Sequence, residues 1–485
     1  MRPLEIAYLL LNLPLVSWCV LNLSIPWWGR ILPVLSLVVL AVSVVVEGSR
    51  WTLLPALAVT CWLFYACTWP RLAQPGRWSG LSMLGLLLVA GLLANLLPVF
   101  KLPTPTGSFR TGTVTRHLID HQRQELQGDR PGGPRELMIQ IWYPTNQVGQ
   151  AKTYRDSGEV SWSKQHLALV RTHSAEDVAL APAPKRFPLL IFTPSWTGRR
   201  NQNTTQAEEL ASHGFIVVGI QHPYSADLTV FPDGRKARST LGEFLDCTSD
   251  ESVAHSVQVA RDQLELRTAD VRFVLDTLER LDREEPEGLL HQRIDFDRVG
   301  VFGHSFGGAV AAETCRVDPR VKAGIDYDGL IFGGVLDHGV GKPFLFLMDG
   351  TPVPTNQELE QTTGPWHREL VLMAENFDLI RHNPAAEGYW ASLKGANHMN
   401  YSDSPFYTPI RKLSHAGTID PVRAEKIINA CTLSFFNKYL NHDDNRLLDG
   451  PERRFPELEM ESLYVKERTQ AHAHKYRYQL AEEHP

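Results

Sequence analysis

The sequence predicts a doubly wound, mostly parallel α/β sheet preceded by an all-α transmembrane segment. Three observations carry this. Short unbroken apolar runs alternate with amphipathic stretches beyond residue 135. One such run, ending at Phe302, leads into Gly303-His304-Ser305-Phe306-Gly307 and on into an alanine-rich stretch. The first hundred of the 485 residues hold seven charged side chains, Arg2, Glu5, Arg30, Glu47, Arg50, Arg71 and Arg77. Continuous apolar runs of strand length mark strands buried on both faces of a parallel sheet, and their alternation with helices gives a layered α/β domain.

The N-terminal hundred residues contain four apolar runs, Leu4 to Leu23, Ile31 to Val46, Trp51 to Trp69 and Leu81 to Phe100. Each approaches the ~20 residues that span a ~30 Å hydrocarbon core. Trp27, Trp28, Trp51 and Trp69 stand at run ends, as interfacial anchors do. Pro14, Pro33 and Pro55 lie inside the runs, where membrane helices tolerate them better than buried soluble ones. A cleaved signal peptide would explain one run and leave three. Ile31 to Val46 is short for a span, so the expectation is four helices with three as the alternative count. Arg30, Arg71 and Arg77 fall on one side and Arg2, Arg50 and Lys101 on the other, a near tie by the positive-inside criterion. With four spans, the C-terminal domain lies on the side of the N-terminus. The chain is expected to be a multi-pass membrane protein whose partner is the bilayer.

Lys101-Leu-Pro-Thr-Pro-Thr-Gly107 reads as a stiff exit linker, since its prolines cannot continue a helix. Residues 101–134 are expected to be linker and entry segment, 135–445 the catalytic domain and 446–485 a polar tail, with no internal repeat. Within the domain, Leu137 to Tyr143, Phe187 to Phe192, Phe215 to Ile220, Ala323 to Tyr327 and Pro343 to Met348 read as strands. Thr204 to His213, Arg267 to Leu281 and Pro421 to Leu440 read as helices, the second from apolar residues at helical spacing. Tyr154 to Lys185, Ser225 to Gln263 and Thr351 to Trp390 are left as insertions that would set specificity. Cys19, Cys61 and Cys67 fall in membrane runs. Cys247, Cys315 and Cys431 are odd in number and lack metal-site spacing, which favours free thiols. A net charge of −6 and a pI near 6.3 exclude a nucleic-acid footprint.

The Gly-x-Ser-x-Gly turn between a strand and a helix has the form of a nucleophile elbow, with Ser305 on a sharp turn and the following helix aimed at the developing oxyanion. Such a serine needs a histidine base and an orienting acid, in the chain order serine, acid, histidine on an α/β-hydrolase sheet. His398 is the leading base, ahead of His338, His367, His382 and His415. Asp349 and Asp328 compete as the acid, each ending a strand before a glycine, and spacing narrowly favours Asp349. No cofactor is called for, and the His472-Ala-His474 pair is too isolated for a metal site.

Several blocks resemble the plasma-type platelet-activating factor acetylhydrolases, α/β-hydrolases that remove short or oxidised acyl chains from phospholipids. They are Ile139 to Pro144, Pro188 to Phe192, Leu210 to Val218, Gly303 to Gly308, Gly324-Ile-Asp-Tyr-Asp-Gly329 and Asn397-His-Met-Asn-Tyr-Ser-Asp403. The resemblance spans roughly residues 135 to 405 and leaves out the helical segment. It implies Ser305, Asp328 and His398 as the triad, with the backbone N–H groups of Phe306 and Trp196 as the oxyanion hole. It also favours the outer face of the membrane for the domain. Where the family has a Ser-His-Gly turn, this chain has Thr193-Pro194-Ser195-Trp196-Thr197-Gly198, in which Pro194 has no N–H to donate. The implied activity is membrane-anchored serine ester hydrolysis of short-acyl or oxidised phospholipids. A carboxylesterase for other small or polymeric esters and a non-catalytic membrane receptor or scaffold are the alternatives.

Overall fold

The structure, a computed structural model, describes residues 1–485 apart from 71–75, 129–130, 286–287, 382–387, 444–445, 451–453 and 464–485. Arg71, His382, His472, His474 and most of the expected tail therefore lie outside the described residues. The chain divides into two compact units. One comprises Met1–Leu102, Thr153–Thr172 and Phe406–Ser414, the other Pro103–Lys152, His173–Pro405 and His415–Pro485.

The first unit is built on four helices, α1 (Pro3–Val20), α2 (Leu32–Glu47), α3 (Leu54–Thr68) and α4 (Arg77–Leu96). Short 3₁₀ turns, Trp27–Ile31 and Trp51–Leu53, run directly into α2 and α3. They lengthen the second span to Trp27–Glu47, 21 residues, so all four segments are long and apolar enough to cross a membrane. Apolar side chains face outward, Val45 and Leu88 being 84% and 66% exposed. The polar ones turn in. Tyr8 Oη lies 2.8 Å from Thr60 Oγ1, and Thr60 Oγ1 donates to Asn12 Oδ1 at 3.0 Å. Glu5 accepts from Arg50 at 3.0 Å and from Arg2 at 2.9 Å. Trp162 stacks on Trp51 at 4.9 Å, and Tyr154 and Tyr407 share a 2.7 Å hydrogen bond beside Phe100. The expected insertion beginning at Tyr154 thus belongs to the helical unit as far as Thr172.

Among the described residues the second unit holds thirteen strands: β1 (Arg110–Gln124), β2 (Pro134–Thr145), β3 (Ala151–Thr153), β4 (Arg171–Glu176), β5 (Phe187–Thr193), β6 (Ile216–Gln221), β7 (Leu228–Val230), β8 (Lys236–Arg238), β9 (Ile294–His304), β10 (Val321–Tyr327), β11 (Phe344–Asp349), β12 (Gly388–Leu393) and β13 (Leu458–Ser462), a few terminal residues of β3 and β4 falling in the first. Eleven form one sheet in the order β13-β12-β11-β10-β9-β5-β6-β2-β1-β4-β3, and β7 and β8 make a small hairpin. Strands from β6 to β12 in that order pair in parallel, while β13, β2 and β1 pair antiparallel. Every residue of β5 and β6 is buried, the pattern of strands covered on both faces. Helices α5 (Thr204–Ser212), α6 (Asp250–Glu284), α7 (Phe306–Val317), α8 (Gly334–His338), α9 (Asn356–Gln361), α10 (Gly364–Arg381), α11 (Arg411–Ser414) and α12 (Pro421–Leu440) complete the chain, α11 belonging to the first unit. One core layer holds Val274 and Leu278 of α6 and Val310 of α7, and the other Ile427, Cys431 and Phe435 of α12.

Three boundaries differ from expectation. The entry segment carries β1, whose fifteen residues pair along β2. The segment assigned to the tail carries β13, an edge strand on β12. Helix α6 begins at Asp250 rather than near Arg267, and so absorbs the end of the second insertion. Ser249 starts it by accepting from Ser252 N at 3.1 Å.

Candidate active site

β9 delivers the chain to Ser305, which adopts φ 58° and ψ −127° before α7 begins at Phe306. A positive φ on a serine is strained, and the turn that carries it is closely packed on both sides. A Cβ on Gly303 would lie 2.1 Å from Gly307 O, and one on Gly307 would lie 2.1 Å from Thr193 O and 2.7 Å from Pro194 O. The end of β5 is thus pressed against the turn. Ser305 N donates to Tyr327 O at 2.8 Å, fixing the turn to the adjacent end of β10.

Asp328 follows β10 directly, also at φ 58°. Its Oδ2 lies 2.7 Å from His398 Nδ1, and its Oδ1 accepts from Asp349 N at 2.8 Å. Asp349, the acid that spacing favoured, therefore meets Asp328 through its backbone, while its own Oδ1 accepts from Thr351 N at 2.8 Å. Burial and then the Asp328 charge raise the Asp349 carboxyl. For His398, burial works to lower the imidazole, but the Asp328 hydrogen bond and charge and the Asp349 charge outweigh it and raise it. His398 opens a single 3₁₀ turn, His398–Tyr401, whose Asn397 side chain accepts from His398 N at 2.9 Å.

Ser305, Asp328, Asp349 and His398 line one cavity of about 670 Å³. Its apolar wall includes Phe244, Leu330, Val353, Met373 and Phe377, and Arg381, Lys394 and Glu369 also reach it. Two of the three expected insertions thus contribute, the segments after Ser225 and after Thr351. Among the described residues, His338, His367 and His415 do not line it.

Three residues that sequence reasoning did not single out, His304, Gln202 and Asp403, surround this centre, together with Asp326, which the sequence places on the same strand face as Asp328 but further inside the sheet. His304 is buried, with Nδ1 2.5 Å from Gln202 Nε2 and Nε2 3.0 Å from His398 O. Burial, and then the His398 charge, push it well below the usual histidine range, so a neutral ring donates to the His398 carbonyl and accepts from Gln202. Gln202 Oε1 in turn accepts from Ser195 Oγ at 2.8 Å. Asp403 closes the His398 block by accepting from Thr204 N at 2.7 Å and Thr205 Oγ1 at 2.6 Å at the start of α5. Asp326, two residues before Asp328 on β10, is wholly buried, and burial and the Asp328 charge push it well above the carboxylate range. His304, Gln202 and Asp403 carry no local signature, because the partners that join them to the site lie far along the chain.

Comparison with known proteins matches residues 135–453 to the family described as platelet-activating factor acetylhydrolase, isoform II. The chain belongs to this family. It is 24% identical over 408 residues to a probable 1-alkyl-2-acetylglycerophosphocholine esterase of Arthroderma benhamiae, covering 76% of this chain and 96% of that one. It is 28% identical to a platelet-activating factor acetylhydrolase of Cavia porcellus, covering 54% of this chain and 59% of that one. Among solved structures, a ferulic acid esterase from Streptomyces cinnamoneus superposes with a TM-score of 0.58 at 29% identity, covering 75% of this chain and 99% of its own. The protein is an ester hydrolase on an α/β-hydrolase sheet.

Proposed function

We propose that the protein is a membrane-anchored serine hydrolase that releases short or oxidised acyl chains from phospholipids. The observation that carries the chemistry is the joining of His398 to Asp328 at 2.7 Å in the cavity that Ser305 lines from a strained elbow. Ser305 attacks the ester carbonyl as His398 takes its proton. Asp328 holds the imidazole and stabilises its cation, and the Phe306 and Trp196 N–H groups receive the oxyanion. His398 then protonates the departing alcohol, and water, deprotonated by the same histidine, releases the acyl group from the serine. Asp349 supports the acid through its backbone N–H and is not the triad member. The apolar wall of the cavity suits an acyl chain, and the names of the family relatives support a phospholipid ester.

The four apolar helices support anchoring in a bilayer. Arg2 and Arg50 are engaged by Glu5 within the bundle, whereas Arg30 and Arg77 are exposed at its other end. That asymmetry supports the Arg30 and Arg77 end as cytoplasmic and the catalytic unit as extracytoplasmic. The likeness to a ferulic acid esterase favours a second reading, a carboxylesterase for other esters on the same triad.

Turnover of the full-length protein over esters of graded acyl length, and over vesicle phospholipids with acetyl, oxidised or long sn-2 chains, separates the two. The proposal expects the highest kcat/KM on short or oxidised sn-2 chains in vesicles. A higher value on aromatic or polymeric esters would favour the second reading. Ser305→Ala is expected to lose several decades of rate on every substrate, about 10⁴-fold or more.

A further inference from the structure

The oxyanion loop after β5 is held by a residue more than seventy positions away. Arg267, on α6, is 1% exposed. Its Nη1 donates to Ser195 O at 3.0 Å, and its Nη2 donates to Trp196 O. The guanidinium lies 4.9 Å from the centre of the Phe306 ring and 5.6 Å from that of Trp196, and those two rings meet edge to face at 4.9 Å. The carboxylate one turn along the helix, Asp270, is bonded to Arg135 at 2.7 Å and His222 at 2.8 Å. Arg267 therefore directs both Nη groups at consecutive carbonyls of one loop. Placing a cation in such a dry site is costly unless its donors are used, so the two carbonyls are specific partners.

A trans peptide is rigid, and its C=O and N–H point in opposite directions. Fixing the Ser195 carbonyl therefore fixes the Trp196 N–H on the far side of the same plane. The plane before it is fixed as well, because Ser195 N donates to Gln202 Oε1 at 3.2 Å. The Trp196 ring is anchored by Nε1 donating to Gly242 O at 3.0 Å. Among the described residues, no group accepts the N–H of Trp196 or of Phe306. Two free donors at this point match what an oxyanion hole requires.

We propose that Arg267 is the positioning residue of the oxyanion hole, locking the Ser195–Trp196 peptide in the orientation that leaves the Trp196 N–H free for the oxyanion formed at Ser305. The role rests on the serine mechanism proposed above. It also explains how a loop with proline in place of a donor keeps its second N–H, since Arg267 and Gln202 hold the backbone that Pro194 cannot. Burial lowers the guanidinium to about 9, with Asp270 opposing, which leaves it a cation at neutral pH.

The test uses full-length protein in lipid nanodiscs, with Arg267→Met and Arg267→Lys compared on a chromogenic acetyl ester. An aryl trifluoromethyl ketone, whose hemiketal mimics the tetrahedral intermediate, is titrated against each variant, and a fluorophosphonate is used to count reactive Ser305. Arg267→Met is expected to lower kcat by about 10²–10³-fold, the loss typical of one oxyanion donor, with KM within about threefold. The ketone should weaken by the same factor as kcat/KM. Arg267→Lys, which can reach one carbonyl, should recover about tenfold over Arg267→Met on both measures. If Arg267→Met does not fold, Arg267→Lys alone should lose kcat and ketone affinity in parallel. Loss of kcat with unchanged ketone affinity, or unchanged kcat in the folded variants, would overturn the role of Arg267. Failure of the wild-type protein to label at Ser305 would instead overturn the serine mechanism itself.

Discussion

In the helical unit the apolar side chains look outward and the hydrogen-bonding ones inward, whereas the sheet unit buries apolar strands and pairs buried charges carried on its strands and helices, as Arg135 of β2 with Asp270 of α6. Val45 and Leu88 are exposed while Asn12, Thr60 and Glu5 are enclosed. β5 and β6 are wholly buried, and Arg135, Asp270, His222 and Arg267 cluster where the chain leaves them. The first arrangement suits a solvent that is itself apolar, where helices associate through packing and interior polar contacts. The second suits water, where apolar burial drives folding and each buried charge must be answered by a partner. Buried charge thus has a different task in each half. It joins helix ends in one and holds the backbone of the loop after β5 in the other.

The largest effect that bears on this contrast falls in the sheet unit. Asp328→Asn is expected to lower turnover on the order of 10⁴-fold, as a mis-set histidine tautomer does in serine proteases, and Asp349→Asn less than about tenfold. Steady-state kinetics on a soluble ester ranks them, and the reverse ranking would return the acid to Asp349. Because Asp328 raises His398, the acid limb of kcat/KM reports the loss of neutral His398 as pH falls. Removing that charge should move the limb to lower pH.

In the helical unit, Glu5→Leu leaves Arg50 without its buried carboxylate and is expected to cost the bundle about 3–5 kcal/mol, with turnover on a soluble ester changed less than about twofold. Unfolding in detergent followed alongside activity tests this. Coupled losses would show that the two halves are not independent in function. Cutting the chain at Lys101 is a poorer test, because Tyr154, Leu167 and Tyr407 of the helical unit would lose Phe100 and Val99.

The smallest effect concerns Asp326. Its folded pKa is raised, so the folded protein holds a proton that the unfolded chain has released at neutral pH, and stability falls as pH rises above the unfolded value. Asp326→Asn removes that dependence. Its melting temperature relative to wild type should rise between pH 5 and 8, with a free-energy slope of at most about 1.4 kcal/mol per unit. A flat difference would show that Asp326 titrates normally.

Much of this was legible in the chain itself. Phe187 to Phe192 and Phe215 to Ile220 announce buried strands because nothing polar interrupts them, and Ser305 announces itself through the two glycines its turn demands. β1 and β13 did not, because antiparallel strands that alternate or lie at an edge hold few apolar residues, as Leu458-Glu-Met-Glu-Ser462 does. The first turns of α6 were hidden for a related reason, since Val253, Val257 and Ala260 alternate with buried polar Ser256 and Gln263. Spacing preferred Asp349 over Asp328 because both end a strand before a glycine, and only tertiary structure gives one of them the histidine. Arg267, Gln202 and His304 could not be read at all, since their roles depend on partners brought together by the sheet.

The most direct measurement of the central claim is mass-spectrometric mapping of the fluorophosphonate adduct on the full-length protein in nanodiscs. The account predicts one stoichiometric adduct on the peptide containing Ser305, formed in step with loss of esterase activity and absent in Ser305→Ala. An adduct on another residue, or full esterase activity in Ser305→Ala, would contradict it.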